Sequence, residues 1–380
     1  MNIKYISYFD TEDNINENRS YVLAATNKMK YIVSVLEKNN FNVEIVSVSS
    51  TKNKKFYKGK KVNISQNTVL KLFPTFPWGN KIQKFISIYS MRIFLFIYLF
   101  FNTKKNDILI IYHSMGYMFL LELLKKIKKI KYVIEAEEIY SDVFENEKIK
   151  LKEMNFFNIA DGYILPTELL NESINTKNKP CTIVYGTYAV EKNRNIKFND
   201  NKIHIVYAGT FDPRKGGANA AVSAAEYLNE KYHMHIIGFG NEKDKKKLLD
   251  EMENVAKKTK CKVTYDGLLS GEDYIKFIQS CDIGLSTQKP IGKYNETSFP
   301  SKVLSYLANG LRVVSIRIKV LEIASINNIL YYYNEDTPMA LAEAIKKVDT
   351  TQEYDSRELI SKLNDEFSGN LQKMLSDIVL

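Results

Sequence analysis

The feature that most constrains the fold of this chain is an alternation of short apolar strands and helical segments in its C-terminal half. Apolar runs at 202–208, 235–240, 262–267 and 282–287 each end at small or turn-forming residues, and polar helical segments separate them. Strands that alternate with helices at this spacing predict a parallel sheet with helices on both faces. Ligands of such sheets bind at the carboxyl ends of the strands. The other elements predicted in this half are helices at 218–229, 301–309 and 337–348 and strands at 311–316 and 329–333.

The N-terminal half shows the same alternation, so we predict an α/β chain of two Rossmann-like domains that face a central cleft. The predicted boundaries are a first domain over 1–190, a second domain over 191–360 and a C-terminal helix over 361–380, whose candidate packing partner is the first domain. A linker is predicted within 186–201, where Asn and Lys accumulate. The elements predicted in the first domain are strands at 4–9, 43–48, 107–113, 131–136 and 162–167 and helices at 20–38, 116–130 and 147–160.

The cysteine and histidine content argues against disulfide and metal chemistry. The three cysteines, Cys181, Cys261 and Cys281, form no CxxC pair, so neither a disulfide framework nor a cysteine zinc site is expected. The four histidines show no HExxH spacing, and no metal site is predicted.

The first residues alternate like a strand and are not a basic segment followed by a long apolar run, so no signal peptide is predicted. These features predict a cytoplasmic protein.

The net charge of +10 is concentrated in residues 1–134, and nearly all of the excess is lysine. Lysine suits a diffuse anionic surface better than the bidentate reading of nucleic-acid bases, for which arginine is preferred. We therefore rank an anionic membrane surface or a phosphate-bearing acceptor above nucleic acid as a partner. A solvated lysine-rich surface without any partner is the alternative interpretation.

Residues 86–101 form an apolar and aromatic stretch that only Arg92 interrupts. The stretch is shorter than the roughly 20 residues that span a bilayer. Lysines flank it on both sides, and a cluster of Pro, Phe and Trp precedes it at 73–78. Three interpretations stay open: a buried helix of the first domain, an interfacial helix that lies on a membrane, and a transmembrane span.

The strongest local signal is the segment YAGTFDPRKGG at 207–217. A strand leads into a glycine-containing turn, and a helix follows at once. This arrangement directs free backbone N–H groups and the helix dipole at a bound anion. Arg214 and Lys215 add positive charge at the same place, which is what a diphosphate requires. A plain turn without a ligand is the alternative.

A second signal is the segment NETSFPSKVLSYLANGLRVVS at 295–315. Pro300 ends one element, Ser301 is a candidate helix cap, and Lys302 falls in the first turn of the helix that follows. A cation at a helix N-terminus is unfavourable for the helix itself. Its presence is explained if an anion binds there, and a solvated lysine is the alternative.

The two segments, in this order and about ninety residues apart, resemble the donor domain of GT-B glycosyltransferases, in particular the retaining family 4 group. In that group a strand that ends in Gly-Arg, followed by Lys-Gly, contacts the nucleotide diphosphate. A later Glu-x7-Glu element leads into a helix and then a Gly-x-Pro-Val-Val stretch. The resemblance covers residues 200–350 well and the first half by architecture only. It implies a nucleotide-sugar donor. We expect no metal or other cofactor, because Lys215, Lys302 and the helix N-termini would neutralise the departing diphosphate.

Position by position, the resemblance assigns Lys215 to the phosphate-binding lysine and Gly267-Leu268 to a turn against the base. The family's arginine is Thr210 here, with Arg214 as a candidate substitute. The ribose-binding second glutamate aligns with Ser305, and Glu296 lies one position from the first glutamate. The full set of predicted nucleotide-sugar residues is Gly209, Thr210, Arg214, Lys215, Gly238, Gly240, Gly267, Leu268, Glu296, Thr297, Ser298, Phe299, Ser301, Lys302 and Ser305.

In the first domain the resemblance assigns His113, at a strand end, to a histidine that faces the donor sugar; a structural histidine is the alternative. Glu135 and Glu137 end the next strand on one face, and either carboxylate is a candidate proton acceptor for the acceptor hydroxyl. Surface carboxylates without a role are the alternative. Asn18 and Arg19 stand where the family has a glycine pair, and they are predicted to bind the acceptor.

The sequence therefore predicts a glycosyltransferase that moves a sugar from a nucleotide diphosphate-sugar to a glycan or lipid-linked acceptor in cell-surface polysaccharide or glycoconjugate biosynthesis. Retention of the anomeric configuration is what the resemblance implies. Its predicted location is the cytoplasm, with the inner face of the membrane as a candidate peripheral site. The alternatives are a non-catalytic glycosyltransferase-like subunit, a nucleic-acid-binding protein suggested by charge alone, and a sugar-nucleotide epimerase.

Overall fold

The structure is a computed structural model that describes residues 2–143, 146–290 and 297–379. The chain forms two compact units. The first unit comprises Met1–Thr187 together with Asp365–Leu380, and the second comprises Tyr188–Asn364. Each unit is built on its own sheet.

The first unit contains an eight-stranded sheet with the order β3-β4-β2-β1-β5-β6-β7-β8 among the described residues. All neighbours pair in parallel except β3, which runs antiparallel to β4 at the edge. The strand order reverses between β1 and β5, so this is the switch point of the sheet. The strands are β1 (Asn2–Ser7), β2 (Asn42–Ser47), β3 (Lys60–Asn63), β4 (Thr68–Leu72), β5 (Ile108–Tyr112), β6 (Lys131–Glu135), β7 (Gly162–Leu165) and β8 (Cys181–Ile183).

Helices cover the faces of this sheet because its central strands are apolar on both sides. The four residues 108–111 of β5, for example, are completely buried. The helices are α1 (Leu23–Lys38), α2 (Lys81–Asn102), α3 (Met118–Lys128), α4 (Tyr140–Val143), α5 (Glu147–Asn158) and α6 (Glu168–Ile174), with a 3₁₀ helix over Glu12–Glu17.

The second unit contains a six-stranded parallel sheet with the order β11-β10-β9-β12-β13-β14 among the described residues. Its first strand therefore lies in the middle, and the switch point falls between β9 and β12. The strands are β9 (Ile203–Thr210), β10 (Tyr232–Phe239), β11 (Lys262–Tyr265), β12 (Ile283–Ser286), β13 (Arg312–Ile316) and β14 (Leu330–Tyr333).

Its helices alternate with these strands. They are α7 (Gly217–Ala224), α8 (Glu242–Ala256), α9 (Gly271–Ser280), α10 (Ser301–Ala308), α11 (Lys319–Ile323) and α12 (Pro338–Lys346), with 3₁₀ helices over Ala225–Tyr227 and Asn327–Ile329. The last helix, α13 (Arg357–Val379), begins in the second unit and ends in the first.

The predicted fold class, an α/β chain with two parallel-sheet Rossmann-like domains, is confirmed. The predicted elements differ from the observed ones mainly at their ends, but the inner strand β4 was not predicted. The helix predicted over 218–229 ends as an α-helix at Ala224 and continues as a 3₁₀ turn. The edge strands β3 and β8 were not predicted, because β3 is polar and β8 is only three residues long.

Candidate functional site

A small cavity of about 170 Å³ opens at the carboxyl ends of β9 and β12, at the switch point of the second sheet. Its lining comes from the β9–α7 loop, the loop after β12 and the start of α10. We call this cavity the cradle. Its lining residues are Tyr207, Lys215, Ser286, Thr287, Gln288, Ser298, Phe299, Pro300, Ser301 and Lys302.

Lys302 is the cation that the fold directs into the cradle. Its ammonium lies 5.2 Å from the centre of the Tyr207 ring. A Cβ atom on Gly209 would lie 2.5 Å from the Lys302 Cε and 2.9 Å from its Nζ, so the glycine provides the room for this side chain. Burial, together with the positive charge of Lys215, lowers the pKa of Lys302 to about 8. A buried cation of this kind is electrostatically suited to an anion.

Tyr306 fixes the position of α10 and thereby of Lys302, one turn earlier on the same helix. The Tyr306 hydroxyl accepts a hydrogen bond of 2.9 Å from the Ala208 backbone N–H of β9. Its ring packs on Gly284, where a Cβ atom would lie 2.3 Å from it. Tyr306 is completely buried, and sequence reasoning did not identify it.

The N-terminus of α7 lies beside the cradle, directly after Lys215, and is not capped by a side chain. Gly216, the cap residue, has a φ of +68°, a conformation that favours glycine. The first-turn N–H groups and the positive end of the helix dipole are therefore available to a ligand. Lys215, which is exposed, adds a full positive charge beside them. That the segment 207–217 binds an anion stays a prediction.

The loop after β12 is tied to the β9–α7 loop, which keeps the cradle in shape. The Thr287 hydroxyl donates to the Gly217 carbonyl (2.8 Å), and the Lys289 N–H donates to the Lys215 carbonyl (3.0 Å). A Cβ atom on Gly217 would lie 2.3 Å from the Thr287 carbonyl oxygen, so only glycine fits there. Sequence reasoning missed Thr287, because no local motif marks a loop whose role is set by a contact seventy residues away.

The segment before α10 supplies a buried hydroxyl to the cradle. The Ser298 Oγ is buried and has no hydrogen-bond partner among the described residues. Phe299 lines the cradle beside it, and Thr297 directly precedes it. Pro300, rather than the predicted Ser301, is the cap residue of α10, because the helix already begins at Ser301. The predicted sugar-binding Glu296 lies outside the described residues.

Three predicted glycines lie side by side at the ends of adjacent strands. Gly209 and Gly238 are paired in register, and the Gly238 N–H donates to the Gly267 carbonyl at 2.9 Å. Gly238 has a φ of +136°, and a Cβ atom there would lie 1.8 Å from the Gly209 carbonyl oxygen. Gly267 has a φ of +88° and open space around it, and Leu268 beside it is exposed. The strands can therefore end close together at this edge.

A second pocket of about 570 Å³ lies next to the ends of β9 and β10. Thr210, Arg214 and Gly240 line it. Arg214 is highly exposed and forms a two-pronged ion pair with Asp212, at 3.0 and 2.8 Å. Arg214 therefore lies outside the cradle. This position does not support the prediction that Arg214 takes the place of the family's arginine.

Ser305 also lies apart from the cradle lining. Its hydroxyl is 3.0 Å from the Tyr274 hydroxyl, and its carbonyl accepts a hydrogen bond from Asn309. These contacts connect α9 and α10. Ser305 thus supports the helix that carries Lys302, and its predicted ribose contact remains a prediction.

In the first unit His113 is sealed in the core rather than exposed at the strand end. Its side chain is 2% exposed, stacks on Tyr140 with ring centres 4.8 Å apart, and packs at a tilt against Phe157 with ring centres 4.7 Å apart. Its Nε2 lies 3.2 Å from Glu153, a buried carboxylate that accepts hydrogen bonds from the first N–H groups of α4. Burial lowers the pKa of His113 to about 3. A structural role for His113 fits this buried position, whereas the predicted contact with the donor sugar does not.

Glu135 and Glu137 meet at the carboxyl end of β6, as the alternation predicted. Glu135 is completely buried and accepts a hydrogen bond from the Tyr5 hydroxyl. Burial raises the pKa of Glu135 to about 8, against the opposing charge of Lys28. Glu137 is partly exposed and accepts a hydrogen bond of 2.5 Å from Lys28. Glu137 is therefore the more accessible proton acceptor of the two.

Of the two predicted acceptor residues, only Asn18 is exposed. The Arg19 side chain is completely buried, and its guanidinium donates to Glu17, to the Ser49 carbonyl and to the Phe73 carbonyl at 2.7 to 3.0 Å. The prediction that Arg19 binds the acceptor is corrected: an arginine in an N-terminal loop can be exposed or internal, and here it ties three segments of the first unit together.

A cavity of about 280 Å³ in the first unit was not predicted. It lies near the carboxyl ends of β1 and β2, and Arg92 and Trp78 line it. The Trp78 indole N–H is buried without a partner among the described residues. Sequence reasoning treated Arg92 only as an interruption of an apolar helix. Its position at the cavity wall explains why the helix carries a charge there.

Comparisons with known proteins agree with this geometry. Residues 202–349 match the family model described as glycosyl transferases group 1. No curated protein matches the chain. The family match covers the whole cradle, and it confirms the predicted transferase class at the level of a group 1 domain.

Solved structures match the chain over its full length at low identity. One is the E. coli trehalose-6-phosphate structure bound with UDP-2-fluoro glucose (11% identity, 100% of this chain and 99% of that chain, TM-score 0.68). A second is the sucrose-phosphate synthase of Thermosynechococcus elongatus (12%, 100% and 96%, 0.62). A third is the UDP-forming α,α-trehalose-phosphate synthase of Burkholderia xenovorans in complex with glucose-6-phosphate (10%, 98% and 99%, 0.63). At these identities the likeness shows a shared fold.

Proposed function

Because residues 202–349 form a glycosyl transferases group 1 domain, we propose that the cradle binds the diphosphate of a nucleotide-sugar donor whose sugar this protein transfers to an acceptor hydroxyl. The observation that carries the proposal is that Lys302 and Lys215 line one cavity, beside the uncapped N-terminus of α7. Two cations and a helix dipole in so small a space match a ligand with at least two negative charges.

In the proposed reaction the bond between the anomeric carbon and the diphosphate oxygen breaks, and a bond to the acceptor oxygen forms. The acceptor hydroxyl loses its proton, for which Glu137 is the candidate acceptor. The diphosphate leaves with the bonding electrons, and Lys215 and Lys302 stabilise its charge. We propose that these lysines make a metal unnecessary for this step.

The finer features of the donor and acceptor are part of the same proposal. One structural neighbour is bound with UDP-2-fluoro glucose and another is a UDP-forming synthase, which supports a UDP-sugar donor. The same synthase is in complex with glucose-6-phosphate and a third neighbour is a sucrose-phosphate synthase, which fits an acceptor with an anionic group. The first-unit cavity, with Arg92 and the Trp78 N–H in its wall, is the candidate acceptor site. We propose a glycan or lipid-linked acceptor in polysaccharide biosynthesis, and transfer with retention.

Calorimetry with UDP and GDP tests the donor site directly. We expect one nucleotide to bind per chain, with stronger binding of the diphosphate than of the corresponding nucleoside. A non-catalytic subunit would bind neither nucleotide, and that result would contradict the proposal. A panel of nucleotide sugars, assayed for donor hydrolysis, then identifies the sugar.

Nucleotide binding is expected to weaken above pH 8. Lys302 has a pKa of about 8, so it is charged below that pH and neutral above it. The nucleotide diphosphate is already fully ionised in this range, so the loss of the lysine charge weakens binding by up to roughly tenfold per pH unit. Titrations at pH 7.0 and 9.5 measure the effect. In Lys302→Met the difference should disappear, and an unchanged difference would show that another group titrates.

We also propose that the first unit docks on an anionic membrane through the exposed side of α2. One side of α2 packs into the core through Ser87, Met91, Leu95 and Leu99. The other side exposes apolar residues at a spacing of about four: Ile82, Phe85, Ile86, Tyr89, Ile93, Ile97 and Phe101. On α3, which packs against α2, a second exposed apolar stripe consists of Phe119, Leu123 and Ile127.

The charge around this face favours a lipid surface. Exposed lysines border both helices: Lys81, Lys84, Lys104, Lys105, Lys126 and Lys129. Apolar side chains inserted between headgroups and lysines near anionic lipids are the two components of interfacial binding. By length and composition α2 could also cross a membrane, but one of its sides belongs to the core of the first unit. A cytoplasmic location at the inner face of the membrane follows from this proposal.

Vesicle flotation tests the membrane proposal. We expect the protein to float with vesicles that contain phosphatidylglycerol, and to float less with pure phosphatidylcholine or in high salt. The double variant Ile93→Glu with Phe101→Glu should lose most of the binding, because it places two charges in the apolar face. Met339→Glu, at an exposed apolar position of the second unit, is the matched control. Equal flotation of the double variant and the wild type would rule out this face.

A further inference from the structure

Three of the four histidines form a buried cluster in the second unit. His204 on β9 is paired in register with His233 on β10, and His235 lies two residues further along the same face of β10. All three are between 2 and 5% exposed. One ring nitrogen of each lies within 4.8 Å of those of the other two. Local spacing along the chain does not indicate this cluster, because its members meet only across paired strands.

Two carboxylates fix the protonation of two of these rings. The His204 Nε2 lies 2.7 Å from Asp200, and the His235 Nδ1 lies 3.0 Å from Asp266. Carboxylates only accept hydrogen bonds, so these ring nitrogens carry the protons. The other nitrogen of each neutral ring then has a lone pair. These two nitrogens, His204 Nδ1 and His235 Nε2, face each other at 2.9 Å.

Two lone pairs at this distance repel each other unless a cation lies between them. This cation can be a proton that the two rings share or a metal ion that both rings bind. The third ring, His233, has its Nε2 3.0 Å from the Thr264 hydroxyl, which itself donates to Asp266, so this nitrogen carries the proton and the His233 Nδ1 has a lone pair. A neutral imidazole is a metal ligand, whereas a protonated one is not.

We propose that His204, His233 and His235 bind one divalent transition-metal ion of the zinc class, with Asp200 and Asp266 as positioning residues. Imidazole nitrogens are ligands that zinc, copper and nickel prefer. A carboxylate that accepts the second N–H of a ligating histidine is a common partner in such sites. Zinc–nitrogen distances of about 2.0–2.1 Å require the ligand nitrogens to lie about 3.3 Å apart, close to the 2.9 Å spacing of the facing pair.

The surroundings suit a bound ion that stabilises structure. The Phe198 ring stacks on His204 and His235, with ring centres 4.0 and 5.0 Å away, and covers the cluster. The Asp200 side chain is 45% exposed and provides a route to solvent. An ion here would join β9, β10 and the segment before β9. It would also hold Asp266, which directly precedes the turn at Gly267. This role is separate from the sugar transfer proposed above.

Metal titration of the purified full-length chain, after treatment with a chelator, tests the proposal. We expect one Co²⁺ per chain, with the visible absorption of a nitrogen-ligated tetrahedral site, and displacement of Co²⁺ by Zn²⁺. His235→Gln should abolish this absorption. Asp200→Asn should weaken metal binding by about 10- to 100-fold, because only the positioning of His204 is lost. His113→Gln, which removes the histidine of the other unit, should bind like the wild type.

Two results would overturn the proposal. One is the absence of stoichiometric Co²⁺ or Zn²⁺ binding by the folded wild type, which would mean that the rings share a proton instead. The other is binding that persists unchanged in His235→Gln and Asp200→Asn, which would place the ion elsewhere. Circular dichroism verifies the folding of each variant. If His235→Gln does not fold, the metal affinity of Asp200→Asn decides, since the Asp200 side chain is 45% exposed.

Discussion

Lys302→Met is expected to reduce sugar transfer, measured as kcat/KM, by at least about a hundredfold. Methionine retains the apolar stem that packs over Tyr207 and Gly209, so the change removes the charge with little change in volume. The lost interaction is strongest when the diphosphate departs, and the loss of one such contact typically costs 10²–10³-fold in rate. The steady-state rate of donor consumption measures the effect.

Two further variants make this result interpretable. Lys215→Ala removes the other cation of the cradle and should also lower kcat/KM. Lys276→Ala, at an exposed position of α9 away from the cradle, should retain wild-type activity. If both cradle variants turned over at near-normal rates, the cradle would not be the diphosphate site, and a donor site elsewhere would have to be sought.

Gly238→Ala is expected to destabilise the second unit by more than about 3 kcal/mol, or roughly 10 °C in the midpoint of its thermal transition. The new methyl group would lie 1.8 Å from the Gly209 carbonyl oxygen, and neither strand can yield because the two are paired in register. The positive φ of +136° adds strain for any residue with a Cβ atom. Thermal unfolding monitored by circular dichroism measures the loss.

Gly271→Ala is the matched control for this clash. Gly271 also has a positive φ, of +54°, but a Cβ atom there meets nothing within 4 Å. Only the backbone strain remains, about 1 kcal/mol. Equal destabilisation of the two variants would show that the positive φ, rather than the contact with Gly209, decides the need for glycine at the strand ends.

The sequence was sufficient for the fold because the fold depends on local patterns. Apolar strands and helices alternate at a regular spacing, and this periodicity predicts parallel sheets without knowledge of any long-range contact. The segment 207–217 was informative for the same reason, since strand, turn and helix N-terminus are adjacent in the chain. Lys302 could be predicted because a cation is unfavourable at the start of its own helix.

Predictions that depended on the orientation of one side chain were less successful. His113 and Arg19 both follow motifs that are compatible with exposure, yet both are buried because neighbouring segments close over them. Sequence spacing gives the position of a residue on its strand or loop. It does not give the packing of segments that are distant in the chain.

The sequence by itself determined the two α/β units, the strand–turn–helix segment at 207–217 of the second unit and the positive charge it carries, because each follows from neighbours along the chain. The tertiary structure alone decided the lining of the cradle by Thr287 and Ser298, and the pairing of His204 with His233. Strand order and register bring these groups together across intervals of thirty to ninety residues, and no local spacing encodes such a contact.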